Sequence, residues 1–272
     1  MSRLPAALVL NGTLALAAGA VLVPLVWMLV VSLQPAGTAA AGAFGSVDAL
    51  TLDNYRALFT RLHLTRAAAN SAGLALAVTA ISLLLNSMAG YAFAKLRFAG
   101  RERLFRVLLA ALVVPAQVGM LPLFLMLKQM GLVNTYLGVI VPGLASVFGI
   151  FLVRQQALAI PDTLLDAARI DGASEWRIYR TVVLRLLRPV LVTLAVFTFM
   201  GTWNDFMWPL VILSDERLQT LPVALANLLG EHAQDPELMM AGAVLTVVPV
   251  LVLFVCVQRY YLESIVAGAI KE

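Results

Sequence analysis

The chain has 272 residues, of which 61% are hydrophobic and 12% are charged, with a formal net charge of +4 and a mean hydropathy of +0.92. Soluble domains are nearer half apolar and a quarter charged, so this composition excludes a disordered or fibrous chain and indicates an integral membrane protein. The single cysteine, Cys256, excludes a disulfide framework, and with only His63 and His232 beside it no Cys/His metal cluster can form.

Six apolar stretches, each roughly 20 residues or longer, can cross a bilayer as helices. In chain order the predicted spans are 5–33, 67–94, 104–127, 136–153, 189–213 and 239–261. The first follows Arg3 and contains small residues at 18–20, as a cleavable signal peptide does. Its apolar sequence continues to residue 33, however, so we interpret it as a retained helix. The predicted fold class is an all-α membrane protein, with residues 1–272 in a single domain.

Basic residues are distributed unevenly between the two ends of these spans. If the amino terminus is cytoplasmic, fourteen of the nineteen lysines and arginines fall on the cytoplasmic side. The five on the outer side are Arg56, Arg61, Arg66, Lys128 and Arg217. Acidic residues divide almost evenly between the two sides and give no information about orientation, as the positive-inside rule expects. Both termini are therefore predicted to be cytoplasmic, in a multi-pass protein of the cell (inner) membrane.

The cytoplasmic segment 157–188, between the fourth and fifth spans, carries the signals of two helices separated by a glycine. Pro161 suits the first helical position, and Asp162 complements the helix dipole. Gly172 supplies the left-handed residue just past the helix end. Ser174 then offers a cap for a second helix. The sequence predicts a helix–Gly–helix element at the inner membrane surface.

The second of these helices is predicted to be amphipathic. Ile178, Val182 and Leu186 recur at four-residue spacing and predict its buried face, with arginines on the remaining surface. On charge alone, the element is an interfacial connector whose arginines contact anionic lipid headgroups. This interpretation requires no partner protein.

The order of residue types in the segment is more specific than its charge. The segment has Asp-Ala-Ala at 166–168, then three residues, Gly172, nine residues, and Val-Val-Leu at 182–184. This order resembles the cytoplasmic-loop signature of permease subunits of binding-protein-dependent ABC importers. That signature reads Glu-Ala-Ala, three residues, Gly, nine residues, Ile, any residue, Leu-Pro.

The resemblance extends over nearly the whole chain. Short sequence motifs similar to those of the carbohydrate-uptake branch of the family occur in the same order as in the family. They lie at 86–98, 115–117, 121–124, 131–136, 151–155, 203–210, 258–261 and 268–271. The last two resemble the tail of the smaller permease subunit of the maltose-type importer. Asp166 stands where the family usually has Glu, and Arg185 stands where it usually has Pro. Either the path into the fifth span differs, or Pro189 makes the same turn.

The resemblance implies a permease subunit that works with a second permease subunit, two copies of a cytoplasmic ABC ATPase and an extracytoplasmic solute-binding protein. The implied substrate is a sugar or a related polyol or glycoside. The chain is expected to bind no cofactor, metal or nucleic acid. ATP is expected to be bound by the partner ATPase. The implied ATPase-coupling residues are Asp166, Ala167, Ala168, Asp171, Gly172 and Glu175, and a second contact is implied at the tail residues Gly268, Ala269 and Lys271. Alternatively, Asp166 or Asp171 pairs with Arg169 or Arg177 inside the loop.

The sequence contains no Walker A motif. That motif needs Gly directly before Lys, and the three lysines follow Ala94, Leu127 and Ile270. No Ser/His, paired-carboxylate or metal-ligand group suggests a membrane-embedded enzyme either. The chain is therefore expected not to be an enzyme, and the energy for transport is expected to come from a partner.

Polar residues inside the predicted spans are candidates for the translocation path, because they are costly in lipid. Gln117, Asn204 and Asp205 are the candidates, whereas Asn70 and Asn86 either join them or form hydrogen bonds between helices. The alternative function is an ion-gradient-driven secondary transporter of a small polar solute. Such a transporter would need mid-span carboxylate or histidine relays and an internal repeat, and Asp205 is the only carboxylate well inside a predicted span.

Overall fold

The computed structural model describes residues 3–38, 50–60, 64–231 and 235–269, and all regular secondary structure in these ranges is helical. The helices are α1 (Arg3–Ser32), α2 (Asp53–Thr60), α3 (Leu64–Lys95), α4 (Arg101–Ala111), α5 (Met120–Gln129), α6 (Tyr136–Gly143), α7 (Val147–Leu158), α8 (Asp162–Ile170), α9 (Glu175–Ile178), α10 (Leu184–Leu186), α11 (Arg188–Trp203), α12 (Met207–Ile212), α13 (Leu221–Glu231) and α14 (Pro236–Ala269). Shorter 3₁₀ or π turns lie at Ala116–Gly119, Tyr179–Val183 and Glu216–Leu218. The predicted all-α class is confirmed.

Four helical stretches are long and apolar enough to cross a membrane individually. They are Val9–Ser32, Leu64–Lys95, Tyr136–Leu158 and Pro236–Gln258. Two further helix pairs pass the same test only together, and both are sharply bent: α4 with Ala116–Gln129 by 94°, and Glu175–Leu186 with α11 by 79°. The described helices therefore provide four to six spans, depending on whether each bent pair crosses the membrane as one unit.

The third and fifth predicted spans do not coincide with single helices in the structure. Pro115 has an extended backbone (φ −59°, ψ 133°), and because proline lacks an N–H, the predicted span 104–127 is divided there. The predicted span 189–213 is also divided, since α11 ends at Trp203. The Asp205 carboxylate then accepts the N–H of Trp208 at 3.3 Å and starts α12. Both breaks arise from local chemistry that a count of apolar residues does not register.

The contacts divide the chain into two compact units, Met1–Thr65 with Ala224–Pro249 and Arg66–Val223 with Val250–Glu272. In the first unit, the buried side chain of Asn54 ties α2 to the end of α1. Its Nδ2 donates to the carbonyl oxygens of Ser32 at 2.9 Å and Gln34 at 2.8 Å. The Ser32 hydroxyl shares a further 2.7 Å hydrogen bond with that of Tyr55.

In the second unit, one buried cluster joins α3 and α7 to the segment 157–188. Its members are Tyr91, Ala94, Val153, Ala157, Ile160, Leu165, Ile178, Tyr179, Val183, Leu187 and Leu194. The close approach of α3 to α7 requires glycine at position 90, because a Cβ there would lie 2.6 Å from both Cβ and Cγ1 of Val153. The helix–Gly–helix element therefore rests on the ends of two long helices.

We expect Gly90→Ala to destabilise the protein by about 1–3 kcal/mol, because the added methyl group overpacks the contact with the fully buried Val153. Gly73→Ala is the matched control in the same helix, since a Cβ there meets nothing within 4 Å. Alanine at this position should be neutral or stabilising. The measurement is the thermal midpoint of the detergent-purified variants, followed by size-exclusion chromatography. Equal midpoints for the two variants would contradict the close approach of α3 and α7.

Candidate functional site

Helix α8 is buried along one side and exposed along the other. Pro161 is its N-cap, with φ −61° and ψ 132°, so it lies just outside the helix and not at the first helical position that we predicted. The reason is that the residue before the first helical turn takes an extended ψ. Leu165 is buried in the core cluster. Gly172 adopts the predicted left-handed conformation, with φ +78°, and a Cβ there would meet nothing within 4 Å.

The second helix begins as predicted, but its buried face differs from the prediction. Ser174 is the N-cap, and its hydroxyl oxygen accepts the N–H of Arg177 at 3.3 Å. The π turn at Tyr179–Val183 follows, and its wider i→i+5 repeat shifts the buried positions. The buried residues are Ile178, Tyr179, Val183 and Leu187. Leu186, predicted to be buried, is 44% exposed, and Val182 is only partly buried.

Arg169 closes the turn around Gly172. Its Nη1 lies 2.7 Å from Asp166 Oδ1 within α8, and its Nε lies 2.7 Å from Glu175 Oε1 at the start of the next helix. The hydrogen bond from Arg169 holds the pKa of the Glu175 carboxyl below its usual range. Asp166 thus pairs inside the loop, as one of our two interpretations proposed. Asp171 forms no ion pair with any residue that the structure describes.

Two side chains attach the helix–Gly–helix element of segment 157–188, called the loop below, to the carboxyl end of α3. Lys95, only 7% exposed, donates from Nζ to the Ile160 carbonyl oxygen and to Asp162 Oδ1, both at 2.6 Å. Hydrogen bonding by Lys95 lowers the pKa of the Asp162 carboxyl. The Tyr91 hydroxyl donates to Glu175 Oε2 at 3.0 Å. These hydrogen bonds join the loop to a helix that precedes it by more than sixty residues.

The outward face of the loop carries large apolar side chains. Ile170 is 86% exposed and Trp176 is 52% exposed, and Leu164, in the same helix as Ile170, is also exposed. Trp176 stacks on Tyr179, with 5.3 Å between ring centroids and 28° between planes. Apolar side chains exposed together mark a contact with a protein or a membrane. Ile170 and Trp176 are not among the predicted site residues, although an apolar residue next to the charged end of a short helix is a signal visible in the sequence.

Five of the six loop residues implied by the resemblance are exposed. The exposed members are Asp166, Ala167, Asp171, Gly172 and Glu175. Ala168 is only half-exposed and packs against the core cluster.

The implied tail contact lies at the end of the last helix. Gly268 and Ala269 form the last two residues of α14, and Lys271 lies outside the described residues. The coupling role of both the loop and the tail stays a prediction.

The candidate path residues lie at the two breaks in the spans. Gln117 is exposed in the turn at Ala116–Gly119, where α4 and the following helix bend by 94°. Asn204 is exposed at the end of α11, and Asp205 is half-buried beside it. Within the described part of the chain, Gln117 forms no hydrogen bond with Asn204 or Asp205. Their role in a path stays a prediction.

Asn70 and Asn86 form hydrogen bonds between segments, as the structural alternative proposed. Asn86 is fully buried, donates to the Ser82 hydroxyl at 2.7 Å and accepts the Ser146 N–H at 3.0 Å. The side-chain amide of Asn70 donates to the carbonyl oxygens of Arg217 at 3.0 Å and Gln219 at 2.9 Å.

Residues 86–265, which include the whole helix–Gly–helix element, match the family described as "Binding-protein-dependent transport system inner membrane component". The chain belongs to this family. It is therefore an inner-membrane transport component with several membrane-crossing helices, and the resemblance that the loop signature suggested is confirmed. Members of this family depend, as the name states, on a solute-binding protein.

Relatives of this permease chain carry the names of carbohydrate transporters. The arabinooligosaccharides transport system permease protein AraQ of Halalkalibacterium halodurans is 40% identical over 223 residues, which cover 82% of this chain and 80% of the relative. The lactose transport system permease protein LacG of Rhizobium radiobacter is 33% identical over 269 residues, which cover 99% and 97%. A bacterial ABC transporter involved in the import of the acidic polysaccharide alginate has a chain that superimposes with a TM-score of 0.79. Its identity is 25%, over 96% of this chain and 98% of that one.

The loop should keep its structure until the pH falls below the ordinary carboxylate range. The folded pKa of Glu175 lies below its unfolded value, so the stabilisation by Arg169 is complete above about pH 4.3. It is lost as the pH falls through the lower folded value. We expect the fluorescence of Trp176, measured as wild type minus Trp176→Phe, to be constant from about pH 8 to about pH 5 and to change only below about pH 4. Glu175→Gln should remove this transition, and a transition centred near pH 6 would contradict the assignment.

Proposed function

We propose that this chain is the transmembrane permease subunit of an ATP-driven ABC importer that moves a sugar or a related polyol or glycoside into the cytoplasm. The proposal includes six spans, both termini in the cytoplasm and segment 157–188 at the inner membrane surface. The excess of basic residues on that side supports this orientation. ATP is bound and hydrolysed by a separate subunit.

The main support for the proposal is the turn around Gly172. The ion pairs of Arg169 hold this turn in place, and exposed apolar side chains lie on either side of it. These side chains are Ile170 and Trp176, and Asp171 adds a carboxylate without an ion pair among the described residues. Arg169 braces the two helices against each other. A rigid projection of this kind transmits a push from a cytoplasmic ATPase, whereas a flexible loop would absorb it.

The site provides a direct route from the ATPase to the membrane helices. The two attachments of the loop, at Lys95 and Tyr91, both belong to α3. Ile178 and Leu165 pack in the same buried cluster as residues of α7 and α11. When the two ATPases close on ATP, the loop therefore moves several spans together. This is the motion that alternates the pathway between its outward-open and inward-open states.

The further partners follow from the family and its relatives. The dependence on a solute-binding protein supports delivery of substrate from outside the cell, and relatives named for arabinooligosaccharides and lactose support a sugar-like substrate. A second permease subunit completes the pathway, with two copies of the ATPase beneath the pair. The ion-gradient-driven alternative has less support, because the carboxylate that the sequence offered for a relay, Asp205, already accepts a backbone hydrogen bond from Trp208.

We expect Gly172→Glu to abolish uptake while leaving the subunit in the membrane. A Cβ at this position meets nothing inside the chain, so the loss must come from the strained backbone and the blocked partner contact. Gly131→Glu is the matched control, because Gly131 also has a positive φ (+70°) and open surroundings. The measurement is accumulation of a radiolabelled sugar, normalised to the subunit detected in membranes. Normal uptake by a well-expressed Gly172→Glu variant would contradict the coupling role.

A cysteine at Ile170 should crosslink to an ATPase carrying a cysteine in its transmembrane-facing cleft. The experiment uses a Cys256→Ala background, because Cys256 is exposed, and Ile170 is better suited than the half-buried Ala168. We expect the crosslink yield in membranes to change when ATP is added. Met130→Cys, at another exposed position, should give no crosslink. If Ile170→Cys reacts with a soluble maleimide but with no ATPase, the segment is an interfacial connector.

A further inference from the structure

A basic cavity lies between the end of α3 and the first turns of α4, separate from the coupling loop. It has a volume of about 650 Å³ and is lined by Arg97, Phe98, Gly100, Arg101, Glu102, Arg103 and Arg106. Four of these seven residues are arginines, and Glu102 is the only acidic one. The cavity adjoins the carboxyl end of α3, a helix that is long and apolar enough to cross a membrane.

Three of the four arginines of the cavity lack a direct ion pair among the described residues, although Arg97 contributes to the lowered pKa of Asp162 and Arg106 Nε donates to the Glu102 carbonyl oxygen at 3.3 Å. Glu102 Oε1 lies 3.3 Å from both Arg101 Nη2 and Arg154 Nη2, so its charge is already shared by two cations. Arg97, Arg103 and Arg106 form no ion pair with any residue in the described ranges. Three guanidinium groups that line one cavity without a direct ion pair can receive an anion with several oxygen acceptors.

Exposed apolar side chains border the same arginines. Leu104 and Val107, which follow Arg103 and Arg106 in α4, are both exposed, Val107 by 67%. They lie three positions apart and therefore on one face of the helix. Phe105, on the opposite face, is buried against α3 and α7. The orientation of α4 is thus fixed, and Leu104 and Val107 are not available to the core.

We propose that this cavity binds the headgroup of an anionic phospholipid. Arg97, Arg103 and Arg106 hold the phosphodiester oxygens, and the acyl chains lie along Leu104 and Val107. A soluble phosphate would satisfy the arginines but would leave the apolar border exposed to water, whereas a lipid satisfies both. The assignment is independent of the coupling role of segment 157–188, since none of that segment lines the cavity.

The site explains how α4 can lie at a sharp angle to the helix that follows it. The two helices are bent by 94° at Pro115, so they cannot both run along the same membrane normal. A headgroup bound at the first turns of α4 anchors this helix at the level of the lipid phosphates. Arginine side chains near an anionic surface each strengthen such an attachment by about fivefold.

Native mass spectrometry of the full chain with phosphatidylglycerol or phosphatidylcholine tests the proposal. We expect phosphatidylglycerol to bind in preference, and Arg97→Gln with Arg103→Gln to weaken its binding by about 30-fold. Arg66→Gln with Arg217→Gln is the matched control, because it removes the same charge from exposed positions outside both the cavity and segment 157–188. That control should change the affinity by less than about threefold. Arg97→Lys with Arg103→Lys should retain most of the binding and shows that the cavity still folds.

Three results would overturn the proposal. Equal weakening in the control variant would mean that total charge, and not the cavity, attracts the lipid. Displacement of phosphatidylglycerol by millimolar glycerol 3-phosphate would mean that the site recognises a soluble phosphate. Unchanged lipid binding in Arg97→Gln with Arg103→Gln, accompanied by lost copurification of an ATPase, would mean that the arginines contact a protein. A coupling loop that failed its crosslinking test would leave the lipid result unaffected.

Discussion

The double ion pair of Arg169 is the interaction on which the candidate coupling site depends. A glycine in the left-handed conformation reverses the chain direction but leaves the two flanking helices free to move about it. Because Arg169 contacts Asp166 on one side and Glu175 on the other, the two helices become one rigid projection. The same Glu175 accepts the Tyr91 hydroxyl, so the projection is also tied to the end of α3.

The breaks in the long helices bear on the predicted translocation path. In lipid, an interrupted helix leaves backbone groups that must be satisfied by the protein or by a water-filled cavity. The polar residues of the predicted path lie at such breaks, with Gln117 beside the bend at Pro115 and Asn204 and Asp205 between α11 and α12. A polar residue at an interruption costs less than one in a continuous span, which is why polar residues are tolerated at these positions.

Basic residues of the same predicted side serve two different purposes. Lys95, Arg154 and Arg169 pair with carboxylates and hold helices together. Arg97 and Arg103 have no such partner among the described residues and line a cavity next to exposed apolar side chains. The positive-inside count gives all five the same weight, because it depends only on which end of a span a residue follows. Which of these cations pair with a carboxylate is decided by how the helices pack.

Local sequence determined the all-α class, four of the long helices, the left-handed Gly172 and the cap at Ser174, because each depends on apolar length or on residues within one turn. The family also followed from local order in the loop. Tertiary structure decided the partners of Asp162 and Glu175, which lie 67 and 84 residues away in the chain. It also decided which residues of the second helix are buried, since the π turn moved that face from Val182 to Val183. Contacts between distant segments and a change in helical repeat leave no periodic signal in the sequence, so they emerge only when the helices pack.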